Sequence, residues 1–132
     1  MKYVIIAGVI ILAVFLVILS QIPKGIEPLT ELYFTQHLEL PKTIEVNKTY
    51  NFSFSVHNLE YEPIIYKYEV TGEYNNKTVQ FDINSIGLDN NQTKTIDETF
   101  KINEHFDRAK ISVNLLNRQE VIHFWVDEKY SG

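Results

Sequence analysis

The sequence predicts an all-β domain of two packed antiparallel sheets, preceded by one N-terminal apolar helix. Three observations carry this reading: an uncharged run at the start, two-residue alternation of apolar and polar side chains through the rest, and turn residues at regular intervals.

The run from Tyr3 to Ile22 is 20 residues long and holds no charge. A helix of that length, at about 1.5 Å per residue, spans roughly the 30 Å of a hydrocarbon core. Residues 1–22 therefore read as a transmembrane anchor. The alternative is a cleaved signal peptide, which has an apolar stretch of about 7–15 residues and a small-residue cleavage site. This run is longer, and Ile18-Leu19-Ser20 departs from an A-x-A pattern. Lys2 and the terminal amine favour a cytoplasmic N-terminus, with Lys24 as the opposing flank. That topology puts everything after the span outside the cytoplasm, with membrane lipid as the partner of the helix. Residues 23–28 carry Pro23, Gly25 and Pro28 and read as a short extended tether.

The remainder, 29–132, is the size of one domain. Cysteine is absent, so neither a disulfide framework nor a lipidated anchor is available, and the fold must rest on its own core. The sequence is 45% hydrophobic and 13% aromatic, which supplies one. Its formal net charge is −5, which argues against nucleic acid as a partner.

Strands follow from the alternation. Leu32 and Phe34 open a first short strand, which Ile44 and Val46 extend beyond Pro41. Tyr50, Phe52, Phe54 and Val56 define an apolar face opposite Asn51, Ser53, Ser55 and His57. Tyr66, Tyr68 and Val70 do the same, as do Val79, Phe81 and Ile83. Ile96, Phe100 and Ile102 share one parity, and Glu98 breaks it. Ile111, Val113 and Leu115 form the next face, and Ile122, Phe124 and Val126 the last. Turn residues fall between the runs, at 58–60, 72–76, 87–91, 103–105 and 117–118. About seven short strands in about 100 residues is the pattern of an immunoglobulin-like antiparallel β-sandwich.

Five stretches carry a family resemblance. They are Thr30 to Phe34, Val46 to Glu60, Tyr66 to Val70, Ala109 to Leu116, and the closing His123-Phe124-Trp125-Val126. Together they resemble the exported immunoglobulin-like domain of an uncharacterised archaeal membrane-protein family of unknown function. The resemblance covers residues 30–127, is shared with adhesion-related sandwich modules of surface proteins, and implies no catalytic residues. Family members often carry several membrane helices before the domain, whereas this chain has one.

Candidate sites are few. Asn47, Asn51, Asn76 and Asn91 each open an Asn-x-Ser/Thr sequon without an intervening proline, making them candidate N-glycosylation sites or plain turn asparagines. The four histidines, His37, His57, His105 and His123, lack metal-ligand spacing. Asp82, Asp89, Asp97, Asp127 and Glu128 lack the dense alternation of a Ca²⁺ loop and read as solvated turn acids. No nucleophile elbow, phosphate loop or paired-carboxylate motif appears, so no enzyme, cofactor or metal site is expected. The parity of the last strand turns Val121, His123 and Trp125 outward together, an arrangement suited to an interface. Leu116 and Ile65 have the same outward parity. Trp125 packed under a loop is the alternative. The function expected is that of a membrane-anchored, non-catalytic surface or envelope interaction module, an accessory subunit with a protein partner. The alternative is a glycan- or ligand-binding domain that stacks sugars on Trp125 and Tyr74.

Overall fold

The computed structural model describes residues 7, 9–13 and 27–129. Residues 7 and 9–13 are helical, and Val9, Ile10, Ile11 and Leu12 are exposed. Among the described residues no helix is long and apolar enough to cross a membrane. Most of the anchor expected over 1–22 and most of the 23–28 tether lie outside the described residues.

Alternating apolar residues and turn asparagines produce eight strands among the described residues: β1 (Leu29–Phe34), β2 (Thr43–Ile44), β3 (Tyr50–Leu59), β4 (Ile64–Tyr74), β5 (Lys77–Leu88), β6 (Thr93–Phe100), β7 (Arg108–Leu115) and β8 (Glu120–Glu128). They form two sheets, a three-stranded one of order β1-β3-β6 and a five-stranded one of order β2-β8-β7-β4-β5. The inner faces pack as a β-sandwich. Phe34 and Phe52 from one sheet both meet Phe124 from the other, with ring centroids 5.3 Å apart and edge-to-face. Phe54 meets Tyr68 across the core at 5.2 Å. Edge-to-face pairs add to the stabilisation from burial alone.

One expected strand is corrected. Ile44 does not extend β1. The chain leaves β1, passes a short 3-10 turn at His37–Glu39, and crosses to the other sheet, where β2 runs parallel to the end of β8. The Asp127 and Lys129 amides donate to the Lys42 and Ile44 carbonyls at 2.9 and 2.7 Å, and the Ile44 side chain is completely buried. The five-stranded sheet is therefore mixed rather than antiparallel.

A second correction concerns β5. Ile83 is exposed, whereas Val79 and Phe81 pack against the core. The cause is a bulge: Val70 pairs with Asp82 but Thr71 pairs with Gln80, which leaves Phe81 as an extra residue. Its insertion inverts the parity of everything after it, so Asp82, Ile86 and Leu88 take the inward positions. A third concerns the wet face of β3. Ser55 is buried there because Thr35, Ser55 and Thr95 link hydroxyls across three neighbouring segments at 2.7 and 2.8 Å.

Candidate functional site

The outer face of β8 keeps its expected parity. Phe124 and Val126 are buried, while Val121, His123 and Trp125 are exposed, Trp125 by 51%. The exposed indole is not isolated. His123 meets it edge-on at 5.9 Å. Lys110, its register partner on β7, and Arg108 each hold a cation 5.9 Å from its ring centroid. Asp127 accepts a 3.0 Å hydrogen bond from Arg108 Nε, and Glu73 on β4 stands opposite Lys110 in register. Charges around the indole thus alternate in sign. Ile65 is exposed on β4, and Leu116 is exposed in the turn after β7 rather than on the strand where alternation placed it.

The backbone of β8 adds a second feature. The Asp127 amide points to β2, so by alternation the N–H groups of Val121, His123 and Trp125 point to the same edge. β2 pairs only with Asp127 and Glu128. The three outward residues therefore also stand on a sheet edge where ladder pairing has stopped.

Beyond Trp125 and Arg108, the β4–β5 hairpin borders an open cavity of about 420 Å³ whose lining includes Glu73, Tyr74, Asn76, Lys77, Thr78 and Arg108. Tyr74 belongs to the core side of this hairpin and is not the exposed stacking ring expected. It is 8% exposed, packs on Phe106 at 6.0 Å, and carries Lys77 over its ring. Lys77 in turn pairs with Glu104 at 2.5 Å, which holds the Glu104 carboxyl below its ordinary range and the Lys77 ammonium above its own.

The sequon asparagines occupy different settings. Asn47, Asn76 and Asn91 all take positive φ in turns, near 60°. Asn76 is exposed at the β4–β5 tip, and Asn51 is exposed on β3. Asn91 is engaged, its Oδ1 lying 3.1 Å from His57 Nε2.

The acidic residues split apart. Asp97 accepts a hydrogen bond from Ser53 at 2.5 Å. Glu128 is buried and accepts from the Phe106 amide, with His105 Nδ1 at 2.9 Å. Among the described residues, no group of three His, Cys, Asp or Glu side chains is arranged to hold a metal ion.

One cluster was missed in the sequence. Glu98 on β6 points into the core and is only 7% exposed. Asp82 on β5 and Tyr68 on β4 are the neighbouring groups that act on its titration. Burial first, then the neighbouring Asp82 carboxyl, pushes the Glu98 carboxyl up to about 7. Burial, with Glu98 and Asp82 nearby, pushes Tyr68 up to about 12. The signal was present: Glu98 alone breaks the apolar parity of its strand. Its partner was hidden, because only the bulge turns Asp82 inward.

No protein-family model matches the chain, and no curated protein aligns with it. Solved structures do share its fold. A β-glucosidase from Listeria innocua in complex with glucose superposes with a TM-score of 0.65 at 12% identity, over 78% of this chain and 16% of that one. The alkylpurine DNA glycosylase AlkC from Pseudomonas fluorescens gives 0.57 at 14% identity, over 74% of this chain and 30% of that one. The CARDB domain of a Pyrococcus furiosus protein, in complex with di-metal ions, gives 0.53 at 15% identity, over 80% of this chain and 97% of that domain. The chain thus spans about a sixth of the glucosidase but nearly all of the CARDB domain. At these identities the likeness is one of fold, a β-sandwich.

Proposed function

We propose that the chain is a non-catalytic interaction module: an immunoglobulin-like sandwich anchored to a membrane by residues 1–22, with its C-terminal domain extracytoplasmic. The strand order, β1-β3-β6 facing β2-β8-β7-β4-β5, supports the immunoglobulin-like assignment. The uncharged run through Ile22, and the exposed Val9, Ile10, Ile11 and Leu12, support the lipid-facing helix. The archaeal resemblance and use of the sequons at Asn47, Asn51, Asn76 and Asn91 belong to the same proposal.

The observation that carries it is the outward display of Val121, His123 and Trp125 on one strand. A half-exposed Trp with apolar and aromatic neighbours is the residue type that dominates binding at protein interfaces. The partner is a protein of the membrane or envelope, with this chain as its accessory subunit. The test is Trp125→Ser in the full-length protein, purified in mild detergent. Loss of a co-purifying partner with an unchanged melting temperature supports the reading. A melting temperature lowered by many degrees with the partner retained returns Trp125 to a structural role.

The second reading is glycan binding. The cavity lined by Glu73, Asn76, Lys77, Thr78 and Arg108 lies beside the indole, so a stacking ring adjoins a set of hydrogen-bonding groups. Envelope glycan bound by the wild type and not by Trp125→Ala favours it.

A further inference from the structure

Natural sheets blunt an open edge with charge, proline, a bulge or a very short strand. The other edges of this sandwich do so. β6 carries Lys94, Asp97 and Glu98, β1 carries Glu31, and β5 is bulged at Phe81. β8 differs. β2 covers only Asp127 and Glu128, which leaves Glu120 to Val126 open on that side. From Val121 to Val126 there is no acid, lysine, arginine or proline, and the register with β7 is unbroken. Among the described residues, the outward N–H groups of Val121, His123 and Trp125 have no partner.

We propose that this edge pairs with the same edge of a second copy, the two β8 strands running antiparallel about a two-fold axis through His123. Outward backbone groups stand on odd-numbered residues, so odd residues must meet odd ones. An axis through His123 sets Val121 opposite Trp125 of the second copy, Trp125 opposite its Val121, and His123 opposite His123. Every outward N–H of both copies is then paired. Val121 with Trp125 is a favourable cross-strand pair, a β-branched residue against an aromatic one.

Charge and chain geometry select this register. Here Glu120 meets Val126, and no acid meets an acid. A slip of two positions one way sets Glu120 against Glu128 and Val121 against Asp127, where β2 already lies. A slip the other way sets Trp125 against Gln119, which has φ 55° and lies in the turn outside the strand. The pairing uses the backbone edge of β8 and stands independently of any partner held by its outer face. With both N-terminal helices in one membrane, the two-fold axis runs along the membrane normal and the joined sheet lies over the bilayer surface.

The chain has no cysteine, so single-cysteine variants of the full-length protein, purified in mild detergent, report on this pairing. The two copies of residue 123 stand about 5.5 Å apart between Cα atoms, and those of residue 121 roughly 14 Å apart. A short bifunctional thiol reagent therefore joins His123→Cys into a covalent dimer and leaves Val121→Cys as single chains. Sedimentation of the wild type gives the mass of two chains. His123→Pro removes the two central hydrogen bonds but none in the β7 ladder, and weakens association roughly tenfold or more. If His123→Pro fails to fold, His123→Glu decides, because it sets two like charges opposite each other. A wild type that sediments as a single chain overturns the pairing. So does equal crosslinking from 121 and 123, or a dimer undiminished in the folded variants. Capture of a different protein together with a single copy of this chain also overturns it, and leaves the outer-face reading in place.

Discussion

The ring of Phe81 lies across Gly72, so closely that a β-carbon on Gly72 would stand 2.6 Å from Phe81 Cε2. Phe81 follows Val79 onto the inner face, and the missing side chain on β4 makes room for its ring. Gly72→Ala must displace the ring, and overpacking of this kind costs about 1–3 kcal/mol. Chemical denaturation measures the loss. Phe81→Leu in the same chain recovers part of it, because the shorter side chain clears the new methyl group.

Asn58 is a second structural pivot. It is completely buried, and its amide donates to the Glu62 and Leu88 carbonyls at 2.8 and 3.0 Å, while its Oδ1 accepts from the Glu60 amide at 2.8 Å. One side chain thereby fixes the turn after β3 to the end of β5. Asn58→Ala leaves buried backbone groups unpaired and lowers stability by about 3 kcal/mol. Asn58→Asp keeps the acceptor and loses the donor, and still destabilises at neutral pH.

Phe54 reads out the inner face of β3. Its side chain is completely buried and meets Tyr68 edge-on. Phe54→Ala costs roughly 3–5 kcal/mol by thermal or chemical unfolding. A loss below about 1 kcal/mol contradicts the packing.

The pH dependence of stability follows from Glu98. Its folded carboxyl titrates at about 7, above the ordinary value of about 4.3 in an unfolded chain. Between those values the folded state keeps a proton that the unfolded state has released. The contribution of Glu98 is therefore full below about pH 4, is lost as pH rises to 7, and is flat beyond. The loss is up to about 3 kcal/mol. Melting temperature against pH, wild type minus Glu98→Gln, isolates this component from the other carboxylates.

Much of this was legible before any fold was known. Strict alternation in β3 and β8 marked Phe54 and Phe124 as core and Trp125 as exposed, because one face of each strand is buried and the register admits no slip. The expected turns at Asn76 and Asn91 formed, since Asn tolerates positive φ. What stayed hidden depends on partners distant in sequence. The bulge at Phe81 exists only relative to β4, so neither the exposure of Ile83 nor the inward turn of Asp82 could be read from β5 alone. The crossing of β2 rests on two backbone bonds to β8. The burial of Tyr74 depends on Phe106, on a different segment. Glu98 was visible as an exception, and its meaning required the second acid.

Photo-crosslinking in the native membrane reads out the proposed contact surface on the outer face of β8. A photoreactive amino acid replaces His123 in the full-length protein, and in separate controls replaces Gln80 on β5 and Thr99 on β6, both exposed away from β8. One discrete crosslinked species is expected from position 123 and none from 80 or 99. Equal crosslinking from all three positions, or crosslinks from 80 or 99 alone, would contradict it.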